Sequence, residues 1–168
     1  MTSQLTIRAA TREDIPEVLA FIRELAEYER EPESAIATAE DLLRDGFTEP
    51  KRYHALIAEW RENEAAEVQA AGMALYFYNY STWRGHAGVY VEDLFVRPAL
   101  RGRGIGKALL KRVAEIAVAE GCPRLEWSVL DWNTPAIDFY RSLGAESMTE
   151  WTIMRVSGDA LKKLGTQA

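Results

Sequence analysis

The segment that most restricts how this chain can fold runs from Val89 to Glu120. It opens with a strand-like apolar run, Val89 to Val96, breaks at Pro98, and passes through Arg101-Gly102-Arg103-Gly104-Ile105-Gly106-Lys107. Beyond the glycines, Ile105, Leu109, Leu110, Val113, Ile116 and Ala117 recur at helical spacing. A strand joined to a helix by glycines at alternate positions calls for backbone that can take positive φ and approach another group closely. The amides that open such a helix point outward and attract anions. Lys107 falls in the first turn, where a cation opposes the helix dipole, and Arg101 and Arg103 add charge beside it. Three cations gathered at the positive end of a helix predict an anion there. Two familiar phosphate patterns do not fit. A P-loop needs Ser or Thr after its Gly-Lys pair, and Ala108 stands there; the dinucleotide fingerprint needs Gly at the sixth position from Gly102, which is Lys107.

The flanking residues place this unit in an alternating order of strands and helices. Leu5 to Ala9 reads as a short strand. Thr11 is placed to cap a helix, with Glu13 and Asp14 near its positive end, and Ile15, Val18, Leu19, Ile22, Leu25 and Ala26 give that helix one buried face. Thr38, with Asp41 in the capping-box position, opens a second short helix that Gly46 is expected to stop. Tyr53 to Trp60 and Val68 to Tyr78 are strands parted by the charged loop Arg61 to Glu67, and Asn79 to Gly88 turns into the Val89 strand. After the glycine-led helix come a strand from Leu125 to Leu130, a helix capped by Asn133 and ended by Gly144, and a last strand from Met148 to Val156. One or two helical turns follow between Ser157 and Leu164. The order β-α-α-β-β-β-α-β-α-β predicts an α/β fold, a mixed sheet with helices on both faces. A length of 168 residues without repeat or Pro/Gly/Ser linker predicts a single domain over residues 5–168.

Charge and composition exclude several classes of partner. Twenty basic against 26 acidic residues leave a net charge of −6, which opposes binding to nucleic-acid backbones and favours cationic ligands. No apolar run is long enough to cross a bilayer, so no membrane partner is expected. Met1-Thr2-Ser3-Gln4 leads directly into the first strand, and no signal peptide is expected. The single cysteine, Cys122, rules out an intrachain disulfide and Cys-x-x-Cys zinc sites, which fits a cytoplasmic location. Cys122 reads as a small apolar filler. His54 and His86 lack the spacing of ligands, and no metal is expected.

Arg101, Gly104 and Gly106 match the Arg/Gln-x-x-Gly-x-Gly/Ala motif of the GCN5-related N-acetyltransferases. Asn133-Thr134-Pro135-Ala136-Ile137-Asp138-Phe139-Tyr140, followed by Gly144, matches a second motif of that superfamily in the right order and at the right separation. The chain resembles the superfamily from Leu5 to about Leu164. Within it, the chain looks most like the diamine (spermidine/spermine-type) acetyltransferases and their thialysine-acetylating relatives. The matching segments are Glu24 to Glu29, Asp41 to Phe47, Tyr53-His54, Tyr90 to Val96 and Trp132 to Pro135.

That resemblance implies acetyl-CoA as co-substrate, direct attack of a small cationic primary amine on the thioester, and fourth and fifth strands splayed around the cofactor. It assigns Leu94, Phe95 and Val96 to the pantetheine arm, with a backbone amide of that stretch on the acetyl oxygen. Arg101, Gly102, Arg103, Gly104, Ile105, Gly106 and Lys107 would hold the pyrophosphate, and Asn133, Thr134, Pro135 and Ala136 would line the arm. Tyr140 is the implied proton donor to the thiolate, a role that suits a neutral phenol. Glu92 is the implied acid that contacts substrate and accepts the amine's proton through water, since an alkylamine is protonated at neutral pH. Glu92 and Asp93 should face opposite ways unless a bulge intervenes.

Tyr28 and Glu29 match the substrate-contacting pair, and Glu150 a further substrate acid. Glu126-Trp127-Ser128 departs from the vertebrate polyamine enzymes at the amine site: Trp127 would narrow the pocket or stack on a cation, and Glu126 adds charge. The family also implies a homodimer. Two other readings are transfer to a protein N-terminus or lysine, which the acidic Tyr28 region opposes, and a non-catalytic acyl-CoA sensor. A sensor needs neither Tyr140 nor Glu92.

Overall fold

The computed structural model describes residues 3–166. Met1 and Thr2 of the N-terminal reading, and Gln167 and Ala168 of the expected 5–168 domain, lie outside the described residues. The chain divides into two compact units, with the boundary between Ser128 and Val129.

The first unit is built on five strands in the order β1 (Gln4–Ala9), β2 (His54–Arg61), β3 (Gln69–Ser81), β4 (His86–Val96) and β5 (Leu125–Trp127). Neighbours from β1 to β4 pair antiparallel, as their short connections require, and β5 pairs parallel to β4. Helices α1 (Ile15–Tyr28) and α2 (Ala39–Phe47) join β1 to β2, and α3 (Ile105–Ala119) is the crossover from β4 to β5. The mixed sheet and the antiparallel middle strands follow the sequence pattern.

Both faces of the sheet are buried. On one, Ile57, Met73, Leu75 and Phe95 pack with Ile15, Val18 and Phe21 of α1, Leu42 of α2 and Tyr53. Their strand neighbours Leu56, Ala58 and Ala74 point the other way and are equally buried. Helix α3 lies against β1 to β4 and buries the stripe Ile105, Leu109, Leu110, Val113 and Ala117. The helix starts are set by local chemistry. The backbone N–H of Thr38 donates to the Asp41 carboxylate at 3.1 Å, and the Asp41 N–H donates back to Thr38 Oγ1 at 3.2 Å. Thr11 N–H likewise donates to Asp14 at 2.7 Å, ahead of α1.

Gly46 does not stop α2. The helix runs through it to Phe47, and Gly46 is buried inside the last turn. Its reason is contact, not conformation: a Cβ there would run into the ring of Tyr53. That ring is itself fixed, because Tyr53 OH donates to the Leu42 carbonyl at 2.8 Å. Burial pushes the Tyr53 phenol up to about 12.

In the second unit, α4 (Thr134–Ser142) opens at Asn133, whose Oδ1 accepts from the Ala136 amide at 3.4 Å. It closes at Gly144, which takes the positive φ of 90° that a helix stop favours. A further helix, α5 (Gly158–Thr166), is longer than the one or two turns expected. The expected strand Met148 to Val156 is not formed. Its β-branched and apolar residues have strand propensity, but a strand also needs a hydrogen-bonded neighbour, and among the described residues none pairs with it. Met148, Trp151, Ile153 and Met154 are exposed. The β5 strand is also shorter than expected, ending at Trp127 instead of Leu130.

The Gly46 contact yields a stability test. Gly46→Ala gains helix propensity but overpacks against Tyr53, and the overpacking should dominate, costing about 1–3 kcal/mol. A urea midpoint equal to that of the parent protein would mean that the Tyr53 ring gives way freely.

Candidate functional site

The turn between β4 and α3 is held from below and open above. Arg97, at the end of β4, reaches across to α1: its guanidinium lies 2.8 Å from Glu17 and 2.9 Å from Glu24, donates to the Ala70 carbonyl at 2.9 Å, and sits 4.6 Å over the Phe21 ring. A short 3-10 turn, Pro98–Leu100, follows, with Leu100 buried as its anchor. Gly102 and Gly104 then take φ of 77° and 78°, and at both positions nothing lies within 4 Å of where a Cβ would project. These two are the glycines that the conformation requires. Gly106 is ordinary helix. Gly104 ends the turn as the residue before α3, and no acidic side chain occupies the first turn of that helix. The amides at the positive end of α3 thus face no acid of the helix's own first turn, an arrangement whose chemistry suits an anion such as a diphosphate.

The arginines of the turn are not simply spread in solvent. Arg101 Nε donates to the Val96 carbonyl at 2.9 Å, and its Cζ lies 4.5 Å from the Tyr28 ring centroid and 5.8 Å from that of Phe95. Arg103 forms a two-pronged pair with Glu62, at 2.8 and 3.0 Å, and lies 5.4 Å over Trp60. Trp60 Nε1 donates to the same Glu62 at 2.9 Å. Glu62 and Trp60 were not singled out by the sequence, because their place beside the turn depends on β2 and on the pairing of the sheet.

Beside the turn, β4 changes character at one residue. Leu75 of β3 faces Asp93, yet Tyr76 faces Val91, so Glu92 is the extra residue of a β-bulge. The parallel partner β5 stops pairing at the same level, at Val91 opposite Trp127. From Glu92 to Val96, β4 therefore has no β5 partner on that edge, which is the expected splay. Leu94, Phe95 and Val96 lie on this stretch, with Phe95 buried and the other two half-buried.

The bulge also gathers carboxylates. Asp93, half-buried on the α1 face with Phe95, is pushed up to about 6 by burial and by the charges of Glu92 and Glu29. Burial raises Glu29 as well, at the end of α1. Three carboxylates from two elements thus share one neighbourhood, and Asp93 is the member that sequence reasoning gave no role. The adjacent Glu-Asp pair on a strand was the only signal available. Next to them, Tyr28 closes α1.

Glu126 of β5 and Ser128, just past its end, are engaged with the protein. Glu126 accepts from Asn79 at 2.9 Å and pairs with Arg124 at 3.0 Å, and Ser128 Oγ lies 2.6 Å from Tyr90 OH. Trp127 sits opposite Val91, level with the bulge. In the second unit, Asn133, Thr134, Pro135 and Ala136 form the start of α4, and Tyr140 stands in its last turn with its ring 5.3 Å from Phe139. Glu150 is exposed in a turn. His54 is stacked on Tyr76 at 5.3 Å, and burial lowers its pKa.

The Acetyltransferase (GNAT) family matches residues 18–145. A thialysine N-epsilon-acetyltransferase of Bos taurus is 42% identical over 163 residues, covering 94% of this chain and 95% of that protein. The spermidine/spermine N(1)-acetyltransferase-like protein 1 of Homo sapiens is 36% identical over 92% of this chain and 23% of its own length. Among solved structures, an integron cassette protein from the mobile metagenome of V. cholerae superposes with a TM-score of 0.77 at 29% identity, covering 97% of this chain and 98% of that one.

The carboxylate cluster predicts a pH-dependent stability. Asp93 is raised from 3.8 to about 6, so between those values the folded state binds more protons than the unfolded state. Stability from this group is therefore highest below pH 3.8 and declines as pH rises through about 6, where the crowded carboxyl ionises. Asp93→Asn removes that charge, and its urea midpoint should gain on the parent more at pH 7.5 than at pH 4.5. An equal offset at both pH values would show that Asp93 does not titrate in this way.

Proposed function

The chain belongs to the acetyltransferase (GNAT) family, and from that premise we propose that it moves the acetyl group of acetyl-CoA to the primary amine of a small cationic acceptor of the thialysine or diamine class. The observation that carries the choice of acceptor is the carboxylate cluster at the β4 bulge, where Glu29, Glu92 and Asp93 crowd negative charge that a protonated amine would relieve. Similarity to a thialysine N-epsilon-acetyltransferase over nearly the whole chain supports the same class.

Acetyl-CoA supplies an activated acetyl thioester, and the protein's share is binding, orientation and proton movement. In this reading the amides of Gly102 to Lys107, with Arg101 and Arg103, hold the diphosphate. The open edge of β4 at Leu94, Phe95 and Val96 takes the amide groups of the pantetheine arm, because unpaired strand backbone requires partners. Asn133, Thr134, Pro135 and Ala136 complete the cofactor residues. Glu92 receives the proton that the amine must lose before it can attack, and Tyr140 returns one to the departing thiolate. Tyr28, Glu29, Trp127 and Glu150 contact the acceptor. Glu126 and Ser128 contribute by shaping β5, since both already have protein partners.

The reading extends to the whole molecule. Residues 5–168 work as one acetyltransferase domain in a homodimer, a state supported by the exposed Trp151, Ile153 and Met154. No helix among the described residues is long and apolar enough to cross a membrane. A cytoplasmic enzyme that binds neither nucleic acid nor lipid agrees with the net charge of −6 and the single cysteine.

An acceptor screen tests the proposal directly. With acetyl-CoA and a thiol-release readout, thialysine, diamines and polyamines should turn over, while neutral amino acids and short peptides should lag. Turnover confined to peptides would reject the acceptor class. Tyr140→Phe should lower kcat on the order of a hundredfold while acetyl-CoA affinity stays nearly constant. Unchanged kcat would remove Tyr140 from proton transfer.

A further inference from the structure

We infer that Tyr28 is a positioning residue for the cofactor's phosphates, holding the Arg101 guanidinium over its ring, and is not solely a contact for the amine. The inference rests on the acetyltransferase reading and adds to it a link between the acceptor residues and the cofactor turn.

The argument begins on α1. Glu17, Phe21, Glu24 and Tyr28 are spaced by four, three and four residues, so they form one stripe along the helix. The first three of them receive Arg97: Glu17 at 2.8 Å, the Phe21 ring at 4.6 Å and Glu24 at 2.9 Å. The fourth receives Arg101, at 4.5 Å from the ring centroid. Arg97 and Arg101 stand on either side of the 3-10 turn Pro98–Leu100. One helical stripe therefore seats both arginines at the base of the phosphate turn.

The seating of Arg101 suits a phosphate contact. Its Nε is fixed on the Val96 carbonyl at 2.9 Å, and its flat face rests on Tyr28, with Phe95 farther off at 5.8 Å. The N–H groups of a guanidinium lie in its plane, so stacking by the face does not consume them. Restricting the long side chain before the ligand arrives lowers the ordering cost of binding. Phosphate affinity then depends on an aromatic face supplied by α1, and Tyr28 acts through Arg101.

Isothermal titration of coenzyme A, with no amine present, separates this role from acceptor binding. Tyr28→Leu should weaken coenzyme A about two- to fivefold, the scale of one cation–π contact near the surface. Tyr28→Phe keeps the aromatic face and should bind as the parent does, and Tyr28→Trp should bind at least as tightly. In an Arg101→Met background, Tyr28→Leu should add no further loss. Thermal unfolding of each variant confirms that it is folded, and the Phe and Trp variants carry the test if the Leu variant is not. Parent-like affinity in Tyr28→Leu, reduced affinity in Tyr28→Phe, or an equal extra loss in the Arg101→Met background would each overturn the inference. Failure of the parent protein to bind coenzyme A would instead reject the acetyltransferase reading, and the inference with it.

Discussion

Strand β4 is hydrogen-bonded to β3 along its length but to β5 only from Val89 to Val91. A strand in the middle of a sheet normally satisfies its backbone on both edges, and groups left unpaired must find another partner. Here the pairing on one side ends at the residue before the Glu92 bulge, and the polypeptide beyond it leads into the glycine turn. The coincidence has a mechanical origin. A bulge adds a residue to one strand, increases the local twist and bends it, so a partner that follows the strand below the bulge loses register above it. One irregularity thus leaves that edge of β4 unpaired by β5 and puts Glu92 beside it.

An open edge is useful only if its end is held still, and Arg97 holds it. Single ion pairs at a protein surface contribute about 0–1 kcal/mol, so neither Glu17 nor Glu24 alone would suffice. Arg97, however, combines both carboxylates with the Ala70 carbonyl and the Phe21 ring, and its own backbone amide donates to the Ala71 carbonyl at 2.9 Å. The arrangement ties α1, β3 and β4 together immediately before the turn. Gly102 and Gly104 can then adopt left-handed backbone without loosening the approach to α3, because the freedom is confined between an anchored arginine and the buried Leu100 on one side and a regular helix on the other.

Features that depend on local periodicity were readable from the residues alone: the α1 and α3 stripes, the Thr38–Asp41 cap, the glycine turn and the order of the first five strands. Features that depend on what lies opposite were not. Gly46 resembles a helix stop in sequence, yet its smallness serves the Tyr53 ring seven residues on. Met148 to Val156 has the composition of a strand, but composition does not supply a partner. The bulge leaves no mark that distinguishes it from regular strand, since it concerns register between β3 and β4. Asp93 was distinguishable only as the neighbour of Glu92, expected to face the opposite way unless a bulge intervened. Its perturbation comes first from burial under the packed sheet face and then from Glu92 and from Glu29, 64 residues earlier, at the end of α1.

The separation of charge around β4 also explains how the acidic Glu92-Asp93 pair and the basic turn Arg101 to Lys107 coexist so close in sequence. A cation at the bulge would neutralise Glu29, Glu92 and Asp93, and the nearby turn has several arginines that could reach for such a partner. Each is held by groups close to the turn: Arg97 by Glu17 and Glu24, Arg103 by Glu62, and Arg101 by the Val96 carbonyl and the Tyr28 face, which leaves its remaining in-plane N–H groups uncovered by the stacking. The groups that shift Asp93 are two carboxylates, in addition to burial, and they push it upward. Burial and this crowding of like charge leave Asp93 raised, at some cost to stability above its pKa. A cation arriving from outside would relieve that crowding, and a protonated amine is the cation that an acetyltransferase consumes.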